Sequence, residues 1–189
     1  MNRMRNFFPA LLVMSLFITI SGASAADFSK ERIQASVKYF RVILTAELEI
    51  EKKKTEDGKF LVYLVGSPKS KSMEMVAKTL SPKGGLKIRK TPVEIQKTGY
   101  PLTEEQLDRG PAAIFITNNL SKDDIALVMQ YGIEKNIVVF SPFEGDVEKG
   151  VTAGMAVGAR VLPYLNATAM KKSNLTFNPM LLRIAKSYE

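Results

Sequence analysis

The alternation of apolar and polar positions along the chain predicts short buried strands separated by helices. Three runs are apolar throughout and have the length of a strand, namely 60–65, 112–116 and 137–140. Between these runs, apolar residues recur at helical spacing over 73–80 and 125–129. Fully apolar strands that alternate with helices are typical of a mostly parallel sheet covered on both faces. The sequence therefore predicts an α/β fold with a mostly parallel, Rossmann-like sheet flanked by helices.

Two segments of this pattern are harder to interpret. A first helix is predicted from Ser29, with an apolar face formed by Ile33, Val37, Phe40, Leu44 and Leu48. Within 44–51, however, apolar and polar residues alternate, which also fits a half-buried strand, so helix and strand both stay open there. Residues 86–95 predict one further strand.

The pattern changes after Pro142. Two strand-like runs, 151–157 and 160–165, are separated only by Gly158 and Ala159, which predicts a β-hairpin. After the hairpin, Asn178 and Pro179 form an N-cap followed by a proline at the first helical position. We therefore expect a hairpin and a final short helix at the carboxyl-terminal side of the sheet.

Capping signals place two helices between the central strands. Thr103 with Gln106, and Ser121 with Asp124, have the spacing of capping boxes. Gly132 is predicted to close the second of these helices.

The beginning of the chain has the pattern of an export signal. Two arginines precede an apolar run over 7–20, and small residues follow as far as Ala25. A membrane anchor is the alternative, but the run is shorter than the roughly 20 residues that span a bilayer. We therefore expect a cleavable signal peptide, 1–25, and one mature domain, 26–189, without a transmembrane segment.

Composition excludes several kinds of chemistry. The chain has no Cys and no His, which excludes disulfides, thiol nucleophiles, zinc hydrolases and histidine-based triads. Its formal net charge of +8 becomes +6 when Arg3 and Arg5 leave with the signal peptide. No tryptophan is present and no arginines are interleaved with aromatic residues, so a solvated lysine surface is favoured over nucleic-acid binding.

One edge of the predicted sheet is a candidate ligand site. Gly66, Ser67 and Lys69 lie in a loop that leaves a strand and opens a helix, where free N–H groups can bind an anion. Asn118 and Ser141 follow two other strands and would lie at the same carboxyl edge. The alternative is that these residues only form turns and helix caps.

No catalytic or metal site is predicted. Glu144, Asp146 and Glu148 lack the spacing of a calcium loop and are interpreted as a solvated loop. The sequence contains no Gly-x-Ser-x-Gly elbow and no Ser-x-x-Lys box with its companion motifs. We therefore expect neither enzymatic activity nor a cofactor.

The carboxyl-terminal block carries a distinctive set of residues, namely Gly154, Arg160, Val161, Asn166, Ala169, Leu175, Leu181, Leu182 and Ala185. This set resembles the ending of the YfiR/HmsC-type periplasmic domain family. Members close with a Gly-rich strand, an Arg-Val strand reaching an Asn, a short Ala-rich helix, a Leu, and a last helix of Leu-Leu-Arg-Leu-Ala type. The chain departs from the family by lacking cysteines and by having Asn178-Pro179 where Ser-Ser is usual.

The resemblance implies a periplasmic regulator. Its best-known members hold a membrane diguanylate cyclase inactive through its periplasmic sensor domain, and related domains are attached to sensor kinases. Gly154, Arg160, Asn166 and Leu182 would then be structural, and no partner-contact residue is transferred. The alternatives are a small-molecule or anion-binding module, similar to half of a solute-binding protein, and a structural or adhesion-associated protein. A homodimer is left open.

Overall fold

The computed structural model describes residues 25–81 and 85–189. The predicted signal peptide, except for Ala25, lies outside these residues. In chain order, the elements are α1 (Ala25–Ala46), a 3-10 turn (Ile50–Lys53), β1 (Phe60–Val65), α2 (Lys71–Leu80), β2 (Lys87–Ile88), β3 (Thr91–Thr98), α3 (Glu104–Asp108), β4 (Ala113–Ile116), α4 (Lys122–Glu134), β5 (Val138–Phe140), β6 (Ala153–Val157), β7 (Val161–Asn166), α5 (Ala167–Lys172), α6 (Pro179–Ile184) and β8 (Lys186–Tyr188).

The strands form one eight-stranded sheet with the order β2-β3-β1-β4-β5-β6-β7-β8. The neighbouring pairs β3–β1, β1–β4, β4–β5 and β5–β6 are parallel, and so is the pair β7–β8. Among the described strands, the antiparallel pairs are β2 with β3 and β6 with β7. The structure thus confirms the mostly parallel α/β fold and the hairpin, and it adds β8 after the last helix.

The sheet is buried on both faces because its central strands are apolar throughout. Phe60, Val62 and Leu64 of β1 pack in one hydrophobic cluster with α1, α2 and Leu181 of α6. The alternate β1 residues, Leu61 and Tyr63, pack in a second cluster with α4 and the neighbouring helices. The period of two along a strand produces this division between the faces.

An aromatic cluster fixes α1 on the first face of the sheet. The ring of Phe40 from α1 lies 5.2 Å from that of Phe115 and 5.5 Å from that of Phe140, between ring centroids. All three side chains are fully buried. Aromatic pairs at such separations contribute about 0.5–1.5 kcal/mol beyond their buried area.

The structure resolves the ambiguous stretch at 44–51. The helix ends at Ala46, Glu47 forms an isolated antiparallel bridge with Phe177, and a turn follows at 48–49. The N–H of Leu48 donates to the carbonyl of Thr176 at 2.8 Å, and the N–H of Asn178 donates to the carbonyl of Ala46 at 2.8 Å. Neither a continuous helix nor a strand of the main sheet is formed, because this pairing with the distant segment ends α1.

Glu47, at the centre of this junction, is a fully buried carboxylate. Its Oε2 accepts a hydrogen bond from Lys53 Nζ at 3.0 Å, and its Oε1 accepts one from the N–H of Glu49 at 3.0 Å. Burial lowers the pKa of Lys53, and the adjacent Glu47 opposes that shift only in part. The ion pair therefore satisfies the carboxylate without fully offsetting the desolvation of the lysine.

The strand predicted over 86–95 is instead a tight hairpin of β2 and β3. Arg89 and Lys90 form its turn with positive φ angles of 47° and 74°. Two-residue hairpin turns need such angles, which non-glycine residues adopt rarely. The Arg89 guanidinium donates to the carbonyls of Thr45 and Glu47 at 2.9 and 2.8 Å, which satisfies carbonyls at the end of α1.

One predicted capping box is confirmed, the other is confirmed only as an N-cap, and the predicted end of α4 was wrong. Thr103 and Gln106 form a capping box. Ser121 accepts from the N–H of Asp124, but the Asp124 carboxylate accepts from the Ser121 hydroxyl and not from its backbone N–H. Gly132, however, lies inside α4, which continues to Glu134. A Cβ at position 132 would lie 2.6 Å from Val139 Cγ2, so this glycine permits close packing of the helix on the sheet.

We expect the Glu47–Lys53 pair to behave as one unit in urea unfolding. Lys53→Met should lower the free energy of unfolding by about 3–5 kcal/mol, because it leaves a buried carboxylate uncompensated. Glu47→Gln together with Lys53→Met should cost less than the two single changes added together.

Lys52→Met is the matched control. The Lys52 side chain is 77% exposed, against 13% for Lys53, and it also pairs with a glutamate. Exposed pairs contribute about 0–1 kcal/mol. Equal losses for Lys52→Met and Lys53→Met would contradict the buried-pair prediction.

Candidate functional site

The structure brings Gly66, Ser67 and Asn118 together at the carboxyl edge of the sheet. They follow β1 and β4, which are neighbouring parallel strands. The chain leaves β1 towards β3 on one side and leaves β4 towards β5 on the other. In open α/β sheets, such a switch in strand order is where ligands bind.

In this chain, however, Asn118 accepts hydrogen bonds from the polar groups of this edge. Its Oδ1 accepts a hydrogen bond from the N–H of Ser67 at 2.9 Å and from Ser70 Oγ at 3.1 Å. Ser70 Oγ in turn accepts from the N–H of Met73 and caps α2. The Ser67 and Met73 N–H groups at this edge thus already have protein acceptors, which favours the turn-and-cap interpretation over an anion site.

Gly66 permits this close approach. Its φ is +154°, and a Cβ there would lie 2.4 Å from Asn118 Oδ1 and 2.5 Å from Thr117 Oγ1. Any side chain at position 66 would therefore displace Asn118 or Thr117.

The remaining predicted edge residues, Lys69 and Ser141, do not join this network. Lys69 is exposed and makes no ion pair with another residue in the described ranges. Ser141 is buried, donates to Asp146 Oδ2 at 2.6 Å and accepts from the N–H of Phe143 at 3.1 Å. Ser141 therefore holds the loop that follows β5.

The acidic loop is only partly solvated. Glu144 is exposed, but Asp146 is fully buried and also accepts from Lys149 Nζ at 2.9 Å. The interpretation of all three acidic residues as solvated was wrong for Asp146, because its carboxylate organises the turn after β5. Within 25–81 and 85–189, no group of three His, Cys, Asp or Glu side chains could hold a metal ion.

The residues that carry the family resemblance fall into two groups. Gly154 is packed so closely that a Cβ would lie 2.8 Å from both the Ser141 carbonyl oxygen and Val147 Cγ2. Asn166 is buried, accepts from the N–H of Ala169 and donates to the carbonyl of Val147, each at 2.8 Å. Arg160 and Leu182, in contrast, are exposed.

A larger surface feature, which the sequence did not predict, is a groove between α1 and α6. We call it the α1–α6 groove, and it has a volume of about 630 Å³. Thr79 of α2 and Lys87 of β2 complete its walls. The lining residues are Gln34, Val37, Lys38, Arg41, Val42, Thr45, Ala46, Thr79, Lys87, Asn178, Met180, Leu181 and Ile184.

We call the apolar side chains of the lining the floor of the groove, and α6 supplies several of them. Of its residues, Leu181 packs into the core, whereas Met180 and Ile184 are 65% and 53% exposed. Val42, on the facing side of α1, is 38% exposed. The consecutive apolar residues 180–182 could have indicated this exposed surface from the sequence. Three successive positions cannot all face one side of a helix, so at least one of them lies away from the core.

We call the charged side chains of the lining the rim of the groove. Among the described residues these are Lys38, Arg41 and Lys87, which are exposed, and none is Asp or Glu. None of the three cations forms an ion pair with a carboxylate of the described residues. An apolar floor below a cationic rim fits an occupant that is both apolar and acidic.

Among the described residues, no helix is both long enough and apolar enough to cross a membrane. No protein-family model matches the chain, and no curated protein matches it. The resemblance to the YfiR/HmsC-type family therefore stays a prediction.

We expect Gly66→Ala to lower the free energy of unfolding by about 2–4 kcal/mol, because it combines backbone strain with overpacking against Asn118. Gly58→Ala is the control, since Gly58 also has a positive φ of +77° but faces open space. The control should cost about 1 kcal/mol. Equal losses in urea unfolding would show that the Asn118 contact is not tight.

We also expect inorganic phosphate to leave the melting temperature unchanged, because Asn118 occupies the Ser67 N–H and the Ser70 hydroxyl. Thermal-shift measurements with phosphate and with a panel of small metabolites check this. A rise in melting temperature that Lys69→Ala abolishes would reopen the carboxyl edge as an anion site.

Proposed function

We propose that this protein is a non-enzymatic periplasmic regulator that binds the extracytoplasmic domain of an inner-membrane signalling protein of the diguanylate cyclase or sensor kinase type. The α1–α6 groove is the docking surface. The single observation that carries the proposal is that, in the part of the chain that the structure describes, this groove combines exposed apolar side chains with a rim of cations and no carboxylate.

The contrast between the two surfaces supports binding at the groove. At the carboxyl edge, the polar groups of Ser67, Ser70 and Asn118 bond one another. At the groove, Val42, Met180 and Ile184 remain exposed, and covering them would release about 25 cal/mol for each Å² of apolar surface removed from water. A partner therefore gains more at the groove.

The choice of partner rests on the sequence. The export signal predicts a chain that acts outside the cytoplasm, and the carboxyl-terminal block resembles periplasmic regulators of membrane signalling proteins. A chain without Cys or His lacks the thiol and imidazole groups on which many nucleophilic and acid–base mechanisms depend. Regulation by contact accounts for these features without a catalytic step.

We expect crosslinking in intact cells, followed by solubilisation of the membranes, to recover an inner-membrane signalling protein with the tagged chain. Met180→Glu and Ile184→Glu should each reduce that recovery about tenfold or more, because they place a like-charged or desolvated carboxylate against the partner. Quantitative mass spectrometry of the crosslinked species is the measurement.

Leu127→Glu is the matched control, because Leu127 of α4 is 58% exposed and does not line the groove. Its recovery should equal that of the unaltered chain. Recovery of no signalling protein, with unchanged cyclic dinucleotide levels when the gene is deleted, would overturn the proposal. Equal recovery with all three variants would overturn the groove as the docking surface.

A further inference from the structure

The length of the groove is set by α1. The lining residues of this helix, from Gln34 to Ala46, recur every three or four positions and so form one stripe along it. At a rise of 1.5 Å per residue, this stripe is about 18 Å long. A helix of about three turns is needed to lie along it.

The two walls of the groove also suit a helix. The groove has a volume of about 630 Å³ and is lined by apolar side chains from both α1 and α6. A helix that lays its apolar side along the α1 stripe would contact both walls.

The positions of the charges specify the rest of the occupant. Lys38 and Arg41 lie on the α1 side of the groove, and Lys87 of β2 lies at its margin. Covering these cations without supplying anions would leave them desolvated and unpaired, which is costly. An occupant with carboxylates on both sides of an apolar stripe would pair with these cations. Its apolar stripe would then contact Val42, Met180 and Ile184.

We propose that the α1–α6 groove recognises an acidic amphipathic helix of about three turns, with apolar residues at i, i+3, i+4 and i+7 and with Asp or Glu beside them. This inference rests on the proposed function, because the helix would be part of the signalling partner. It specifies the apolar and acidic residues by which the groove would recognise the partner segment.

Fluorescence anisotropy with two synthetic helical peptides tests the inference on the purified exported chain. Both peptides have 14 residues and the same leucine stripe, and their flanking positions are all Glu in one and all Lys in the other. The Glu peptide should bind at least about tenfold more tightly, since each such factor corresponds to about 1.4 kcal/mol. Its affinity should fall as salt is raised.

Charge reversal on the protein provides the second half of the test. Lys38→Glu with Arg41→Glu should invert the preference between the two peptides. Lys122→Glu with Lys135→Glu, on exposed lysines of α4 and the residue after it, should change nothing. Circular dichroism checks that both variants are folded. If one variant does not fold, the comparison of the two peptides on the unaltered chain still tests the charge preference.

Three outcomes would overturn the inference. Equal binding of the two peptides would remove the charge preference. Binding of dodecanoate without binding of either peptide would assign the groove to a small amphiphile. Loss of self-association in the Lys38→Glu, Arg41→Glu variant, measured by analytical ultracentrifugation, would assign it to a second copy of the chain. If the two peptides bind equally, the proposed function is still supported when the crosslinking experiment captures a signalling protein and the groove variants abolish that capture.

Discussion

The pairing of residues 46–48 with residues 176–178 is the constraint on which the groove depends. It ends α1 at Ala46 and positions the start of α6 beside it, through hydrogen bonds between backbone groups of both segments. Glu47 lies at its centre with its carboxylate buried, and the Arg89 guanidinium adds two bonds to adjacent carbonyls. Without this junction, α1 would present an apolar stripe with no facing wall.

The two candidate surfaces differ in whether their polar groups have partners within the described part of the protein. An α/β sheet can hold a ligand at the switch in strand order. There, Asn118 Oδ1 accepts hydrogen bonds from the N–H of Ser67 and from Ser70 Oγ, in the loop after β1. At the α1–α6 groove, no side chain of the described residues pairs with the three cations of the rim. The polar groups of the carboxyl edge thus bond one another, whereas the cations of the groove do not.

Local signals predicted the central elements, whereas long-range contacts determined the rest. The apolar run that forms β1 and the capping pair Thr103 and Gln106 depend on neighbouring residues, so the sequence predicted them correctly. The turn at Arg89 has no glycine and depends on carbonyls of α1, which lie far away in sequence. Gly132 resembled a helix end but permits contact with Val139, and the groove depends on two helices that no local pattern connects.

The distance in sequence between the two walls of the groove has a consequence for the timing of folding. α1 is formed from the first described residues and α6 from nearly the last, so the contacts between their segments carry a high loop-closure cost. Contacts that close shorter loops cost less entropy, so the two walls of the groove meet only when distant parts of the described chain come together. A chain that ended before α6 would lack one wall of the groove.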